Sequence, residues 1–274
     1  MTRLFHISDL HFGLEDPLAL AWLVDCVARE KPAGVIVTGD LTMRARAREF
    51  AAATRWISDL GVPVSIGVGN HDLPYFNPLE RAFDPYRRYR RLEQAVGNPL
   101  TVPGLAIVPL KTTARAQWRF NWSKGHVAPA ELAHCLAQID ALPRGTRVLV
   151  ACHHPLVEAG THGQALTRHG EQALTELARR GVMAVLSGHV HDAFDLIHPT
   201  PEGPVRMIGA GTLSLRTRST PPSFNDLTLS GADIAVTVRN LEAVPTPAMQ
   251  IEDIPEDALP PSQPGDPVAP VALG

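Results

Sequence analysis

The first seventy residues alternate between two periodicities, and that alternation limits the fold more than any other feature of the chain. RLFHIS (3–8), GVIVTG (34–39) and PVSIGVG (63–69) are short, largely apolar runs containing β-branched residues, and they read as buried strands. Between the first two, PLALAWLVDCVARE (17–30) sets Leu20, Leu23, Val24 and Val27 at helical spacing behind a proline suited to a first turn. RAREFAAATRWISDL (46–60) repeats the pattern through Phe50, Ala53, Ile57 and Leu60 and stops at Gly61. A β-α-β-α-β order implies parallel strands with helices packed on the sheet.

Residues 73–100 are rich in Pro, Tyr and Arg and read as less regular. GLAIVPL (104–110), TRVLVAC (146–152) and GVMAVLSG (181–188) are further strands, with helices expected over 128–142 and near 170–180. Then the texture changes to successive strands, DAFDLIH, PVRMIGAG, SFNDLTL and DIAVTVRN, joined by turns. An α/β front and a β-rich back suggest two sheets packed face to face with helices outside. From residue 242 the chain carries eight prolines in 33 residues and few large apolar side chains. We therefore expect one domain over 1–241 and an extended or disordered tail over 242–274.

Charge and cysteine usage exclude some functions. A net charge of −3 gives no footprint for broad nucleic-acid or membrane binding. Cys26, Cys135 and Cys152 are scattered and odd in number, which fits free thiols in a reducing compartment. No run approaches the roughly 18 apolar residues of a membrane helix, so a soluble cytoplasmic protein is expected. Oligomeric state is not readable.

The strand ends carry the chemistry. Strand one runs into Asp9-x-His11, strand two into Gly39-Asp40, and strand three into Gly69-Asn70-His71-Asp72. VLVAC runs into His153-His154-Pro155, and AVLSG into His189-Val190-His191. Loops at the C-terminal ends of parallel strands gather along one edge, where ligands usually bind. Any one of these residues, taken alone, reads better as a turn or core residue. Five strand ends delivering Asp9, His11, Asp40, Asn70, His153, His189 and His191 to one edge read as a metal site.

In this order, D-x-H, G-D, G-N-H-D, H and G-H-x-H, the motifs resemble those of the calcineurin-like, binuclear metallophosphoesterases. The resemblance spans about residues 3–195 and implies a four-layer αββα sandwich with two mixed sheets and the metal site at the C-terminal strand ends. It further implies two divalent transition-metal ions. One would be held by Asp9, His11 and His191 and the other by Asn70, His153 and His189, with Asp40 bridging through both oxygens. Oxygen and nitrogen donors without thiolates suit Mn, Fe, Zn or Co. His154 is expected outside the ligand set and Cys152 in a buried strand. His71 is the implied proton donor to, or stabiliser of, the departing oxygen. Asp72 either orients the His71 ring or caps the next turn.

Two divalent ions, the carboxylates of Asp9 and Asp40 and one bridging hydroxide leave a single positive charge, matching a phosphodiester monoanion. The chain is similar to bacterial cyclic-nucleotide phosphodiesterases, which implies hydrolysis of a small phosphodiester. A nucleotide-sugar-lipid pyrophosphatase, a nuclease of the same family and a metal-free protein-binding scaffold are the alternatives. The intact ligand set argues against the scaffold. Arg87, Arg88, Arg90 and Arg91 read either as a phosphate-reaching cap or as a solvated helix face paired with Glu80, Asp84 and Glu93.

Overall fold

The computed structural model describes residues 1–74, 77–114, 123–164 and 167–242. The tail expected beyond Glu242 lies outside them.

Two five-stranded mixed sheets form the centre. The first is ordered β10-β9-β1-β2-β3, from β1 (Thr2–Ile7), β2 (Gly34–Val37), β3 (Val64–Ile66), β9 (Ser223–Ser230) and β10 (Asp233–Asn240). The second is ordered β4-β5-β6-β8-β7, from β4 (Leu105–Pro109), β5 (Arg147–Ala151), β6 (Ala184–Ser187), β7 (Phe194–His198) and β8 (Val205–Gly209). Strands β1, β2 and β3 are parallel, as are β4, β5, β6 and β8, while β9 and β7 enter antiparallel.

Alternation along the strands builds three cores, which is what makes four layers. Phe5 and Ile7 of β1 and Val35 and Val37 of β2 face α1 (Pro17–Glu30) and α2 (Ala47–Ser58). Leu4 and Ile36 point the other way, onto Leu149, Leu186 and Ile208 of the second sheet. Val148 and Val150 turn outward to α5 (Pro129–Asp140) and α6 (Gly170–Arg179). Strands buried on both faces read as continuous apolar runs, and these do. Asp16 caps α1 by accepting from the Leu18 and Ala19 amides at 2.9 and 3.2 Å, with Pro17 in the first turn as expected.

The segment expected to be irregular holds two helices, α3 (Pro78–Phe83) and α4 (Arg87–Val96). Helix α4 buries only Tyr89 and Leu92, so its apolar stripe is too narrow to show through four arginines. Three of them are paired: Arg87 and Arg88 each meet Glu80 at 2.9 Å, and Arg90 meets Asp84 at 2.5 Å. The solvated-face reading of this cluster is the one observed.

Leu186 is fully buried between the sheets, two residues before Gly188. Leu186→Ala should destabilise the protein by about 2–5 kcal/mol in chemical denaturation, the range for a buried leucine leaving a cavity. A change below about 1 kcal/mol would show that the two sheets are not tightly packed there.

Candidate metal centre

The strands stop earlier than their apolar runs, β2 at Val37 and β3 at Ile66, so the motif residues stand in loops beyond the sheet edge. Those loops are bent sharply. Asp9, His11, Asp40, His189 and His191 all take left-handed backbone, with φ of 56°, 46°, 51°, 70° and 62°. Such residues cost of order 1–3 kcal/mol each and cluster at functional sites. Crossed hydrogen bonds hold them: the Asp9 amide donates to the Gly39 carbonyl, His11 to Asp40, and Gly188 to His153, at 3.0, 3.0 and 2.9 Å. Two motif glycines are required by close approach. A Cβ at Gly69 would lie 2.1 Å from Asp40 Oδ1, and one at Gly188 would lie 1.8 Å from Ser8 Oγ.

The expected ligand atoms converge in two groups. Asp9 Oδ1 lies 3.1 Å from His191 Nε2 and 3.5 Å from His11 Nε2, and the two nitrogens are 3.3 Å apart. His153 Nε2 lies 3.1 Å from Asn70 Oδ1 and 3.3 Å from Asp40 Oδ2. Asp40 Oδ2 is also 3.8 Å from His11 Nε2, which sets it between the groups. The His189 and His153 ring centres are 5.2 Å apart. The two-oxygen bridge expected of Asp40 is not what is seen. Its Oδ1 accepts from the His71 amide at 2.8 Å, leaving Oδ2 alone to face both histidines.

Tautomers show why these atoms suit a cation. His153 Nδ1 donates to the Thr38 carbonyl at 2.9 Å and His191 Nδ1 to the Arg216 carbonyl at 2.5 Å, so in the neutral rings both Nε2 atoms present lone pairs. His11 Nε2 accepts from Arg216 Nη1 at 3.2 Å, so it presents one too. Acceptors therefore face acceptors at 3.1–3.5 Å, and buried Asp9 Oδ1 has no hydrogen-bond donor among the described residues. That arrangement is repulsive unless a proton, such as the one His153 holds, or a metal ion lies within it. The spacings fit the edges of a coordination polyhedron with metal–ligand bonds of about 2.0–2.2 Å. The residues present thus fit a metal pair.

Burial and charge act oppositely on these groups. Burial pushes the Asp9 and Asp40 carboxyls up, but His191 and His11 around Asp9, and His153 and His71 around Asp40, hold both well below the usual range. Burial lowers the His153 ring and the Asp40 charge overrides it, raising it to about 9. His189 is lowered to about 3 by burial and by the His153 charge.

The other motif residues divide. His71 Nδ1 donates to the Met43 carbonyl at 2.7 Å, so its Nε2 points at the cluster mouth. Asp72 does not orient that ring. It is buried and accepts from the amides of Leu41, Thr42 and Gly69 at 3.2, 2.9 and 2.9 Å, tying two loops together. Burial and the Asp40 charge push its carboxyl up to about 7. His154 is used up: Nε2 donates to the Ser123 carbonyl and Nδ1 accepts from Thr112 Oγ1, both at 2.9 Å. Cys152 is buried, as expected.

Arg216 is the residue that the motifs miss. Its Nη1 lies 3.1 Å from His71 Nε2 and 3.2 Å from His11 Nε2, and its carbonyl holds His191. The serine and threonine spacing in GAGTLSLR hints at a tied loop, yet nothing in it says where the loop points. A cavity of about 580 Å³ opens between β3 and β4, walled by Tyr86, Tyr89 and Lys111. It meets the cluster only at His153, so it flanks the centre rather than containing it.

The calcineurin-like phosphoesterase family profile matches residues 2–193. A search of curated proteins gives no match. Among solved structures the fold is similar to purple acid phosphatase PPD1 from yellow lupin (Lupinus luteus) seeds, with a TM-score of 0.60 and 13% identity over 87% of this chain. This chain covers 51% of that one, about half its length. Phosphopantetheinyl hydrolase (PptH) from Mycobacterium tuberculosis is similar with a TM-score of 0.51 and 16% identity, over 77% of this chain and 90% of that one. No described helix is long and apolar enough to cross a membrane.

The raised His153 ring makes metal binding pH-dependent. A ligand ring must be neutral, whereas a ring with a value of about 9 holds its proton at pH 7. That proton stabilises the metal-free protein fully below about pH 6.5, and its contribution is lost as pH rises through about 9. Zinc titrations of metal-free protein should therefore release at least one proton at pH 7, with affinity falling about tenfold per unit as pH drops from 9 to 7. Affinity unchanged across that range would contradict the His153–Asp40 coupling.

Proposed function

This chain belongs to the calcineurin-like phosphoesterases, and on that footing we propose that it is a two-metal phosphohydrolase cleaving a P–O bond of a small-molecule phosphodiester. One observation carries the two-metal reading. Asp40 Oδ2 lies 3.8 Å from His11 Nε2 and 3.3 Å from His153 Nε2, so a single carboxylate serves both ligand groups. Asp9, His11 and His191 would hold one ion, Asn70, His153 and His189 the other, and Asp40 would serve both. Bound ions supply Lewis acidity, acidifying water and drawing charge from phosphoryl oxygens. Mn, Fe, Zn and Co all suit this donor set.

The chain's own residues do the rest. His71 Nδ1 stays with the Met43 carbonyl, so a protonated ring presents its Nε2 hydrogen to the leaving oxygen. Asp72 acts on that step only through the loops it ties. The lupin and mycobacterial proteins share the fold, and at 13% and 16% identity they lend no substrate. Three free, buried cysteines support a cytoplasmic setting, and residues 1–241 are the catalytic unit in this reading.

Elemental analysis of the purified protein should find close to two transition-metal ions per chain, and Asp40→Asn should lose metal and fall about 10²-fold or more in phosphodiesterase activity. Folded wild type that takes up no ion after incubation with Mn²⁺ would end the two-metal reading.

The role of His71 is tested by the leaving group. His71→Ala should lose about 10²–10⁴-fold in kcat when an alkoxide is expelled, as from a cyclic nucleotide, and far less when p-nitrophenolate leaves. Metal content should hold, because Asn70 is the proposed ligand. Equal losses on both substrates, or loss of metal, would take the proton-donor role away from His71.

A further inference from the structure

We propose that the cavity between β3 and β4 is a second binding site, separate from the metal centre, for a flat nitrogen heterocycle with an imide or lactam edge. The proposal does not rest on the two-metal reading. At about 580 Å³ the cavity has the size of a small-molecule site, and it touches the metal cluster only at His153.

The β4 wall carries the recognition. In a parallel ladder, alternate residues turn their amides and carbonyls toward the neighbouring strand. The Arg147 amide donates to the Gly104 carbonyl and the Leu110 amide to the Ala151 carbonyl, at 3.0 and 2.9 Å, so Ala106 and Val108 face β5. Leu105, Ile107 and Pro109 turn their main-chain groups the other way, and β4 is the edge strand of its sheet. The Leu105 amide is spent on the Val102 carbonyl at 3.1 Å, and Pro109 has no N–H. Ile107 is left with a donor and an acceptor side by side, half-buried in the cavity wall and without a partner among the described residues. Main-chain groups buried from water are nearly always paired. A single donor cannot support the run of bonds that an added peptide strand makes, but it matches the adjacent N–H and C=O of one ring.

The remaining walls suit a flat ring. The Tyr89 hydroxyl donates to the Ile66 carbonyl at 2.6 Å, which fixes an aromatic ring in the β3 side of the cavity. Val64 and Ile66 pack toward the helices, so Ser65 between them lines the cavity with a small side chain and leaves it wide. Lys111 Nζ stands 5.4 Å from the Tyr86 ring centre and 3.8 Å from Glu131 in a partly exposed pair, which is weak. An ammonium has three donors, so Lys111 can give one to a ring carbonyl.

The test uses the full chain as purified, with riboflavin as the probe, a flat ring with an imide edge and no phosphate. Quenching of its fluorescence should saturate at one riboflavin per chain, and neither inorganic phosphate nor chelation of metal should change the Kd. Ser65→Phe, which fills the cavity, should raise the Kd about 10-fold or more. Ile107→Pro removes the outward N–H without breaking a ladder bond and should raise it about 3–10-fold, as should Lys111→Met. Circular dichroism checks that each variant is folded, and where Ile107→Pro is not, the other two decide. Absence of saturable quenching would overturn the proposal. So would a Kd that Ser65→Phe and Lys111→Met leave unchanged, or competition by phosphate, which would put riboflavin at the metal centre. A chain that binds riboflavin in this way but takes up no metal would bring down the two-metal reading alone and leave this site standing.

Discussion

Two buried carboxylates facing three lone-pair nitrogens are the constraint on which the rest of the structure depends. Asp9 and Asp40 are almost completely buried, and an uncompensated carboxylate in such a place is costly. Compensation comes from the histidines and main-chain amides around them: the His189 amide donates to Asp9 Oδ2, and the His71 amide to Asp40 Oδ1, both at 2.8 Å. Because the carboxylates and the groups that satisfy them sit on the loops after β1, β2, β3, β5 and β6, satisfying them draws five loops from two sheets to one point. Charge compensation thereby positions the strands' edges, and the sheets in turn leave the loops little freedom.

Much of this was legible in the sequence, for a physical reason. A metal centre at a sheet edge needs specific donor atoms directly after strands, so Asp9-x-His11, Gly39-Asp40, Asn70 and the histidine pairs stand out against apolar runs that have few other polar residues. The αββα layering was likewise written in strands apolar on both faces, Leu4 opposite Phe5 and Leu149 opposite Val150. Helix α4 was half legible: its arginines read as a solvated helix face, but two buried side chains among them leave no readable period. Asp72 was half legible. Its place beside His71 suggested ring orientation, but neighbours in sequence on a tight turn point to different sides, and its partners are amides thirty residues away.

Arg216 shows what local patterns cannot carry. It belongs to a loop between β8 and β9, strands of different sheets, and reaches the site only because β8 pairs with β6 and β9 with β1. Both partners end at metal-centre loops, β1 in Asp9 and β6 in Gly188 and His189. The loop that passes from one to the other runs by the site, and Arg216 on it meets His11 and His71. Topology, more than motif, brings this arginine to the cluster.

The same geometry explains how five left-handed residues persist together. At about 1–3 kcal/mol each, they amount to strain comparable with the whole stability of many domains. Asp and His tolerate this region better than most side chains, which lowers the figure. The crossed amide bonds between the Asp9, Gly39 and Asp40 loops, and between the His153 and Gly188 loops, offset more of it. What remains is matched to cation binding, because relaxing any one of these residues would swing its donor atom off the shared point. The loops are thus held bent by packing and hydrogen bonds from below, while their side-chain donors converge above. A site prepared in this way gives up little conformational freedom when ions arrive, and at neutral pH the ions displace the proton that His153 holds. Strain in the backbone and convergence of the side-chain donors are two expressions of one arrangement, a scaffold that holds ligand atoms closer than they would stand alone.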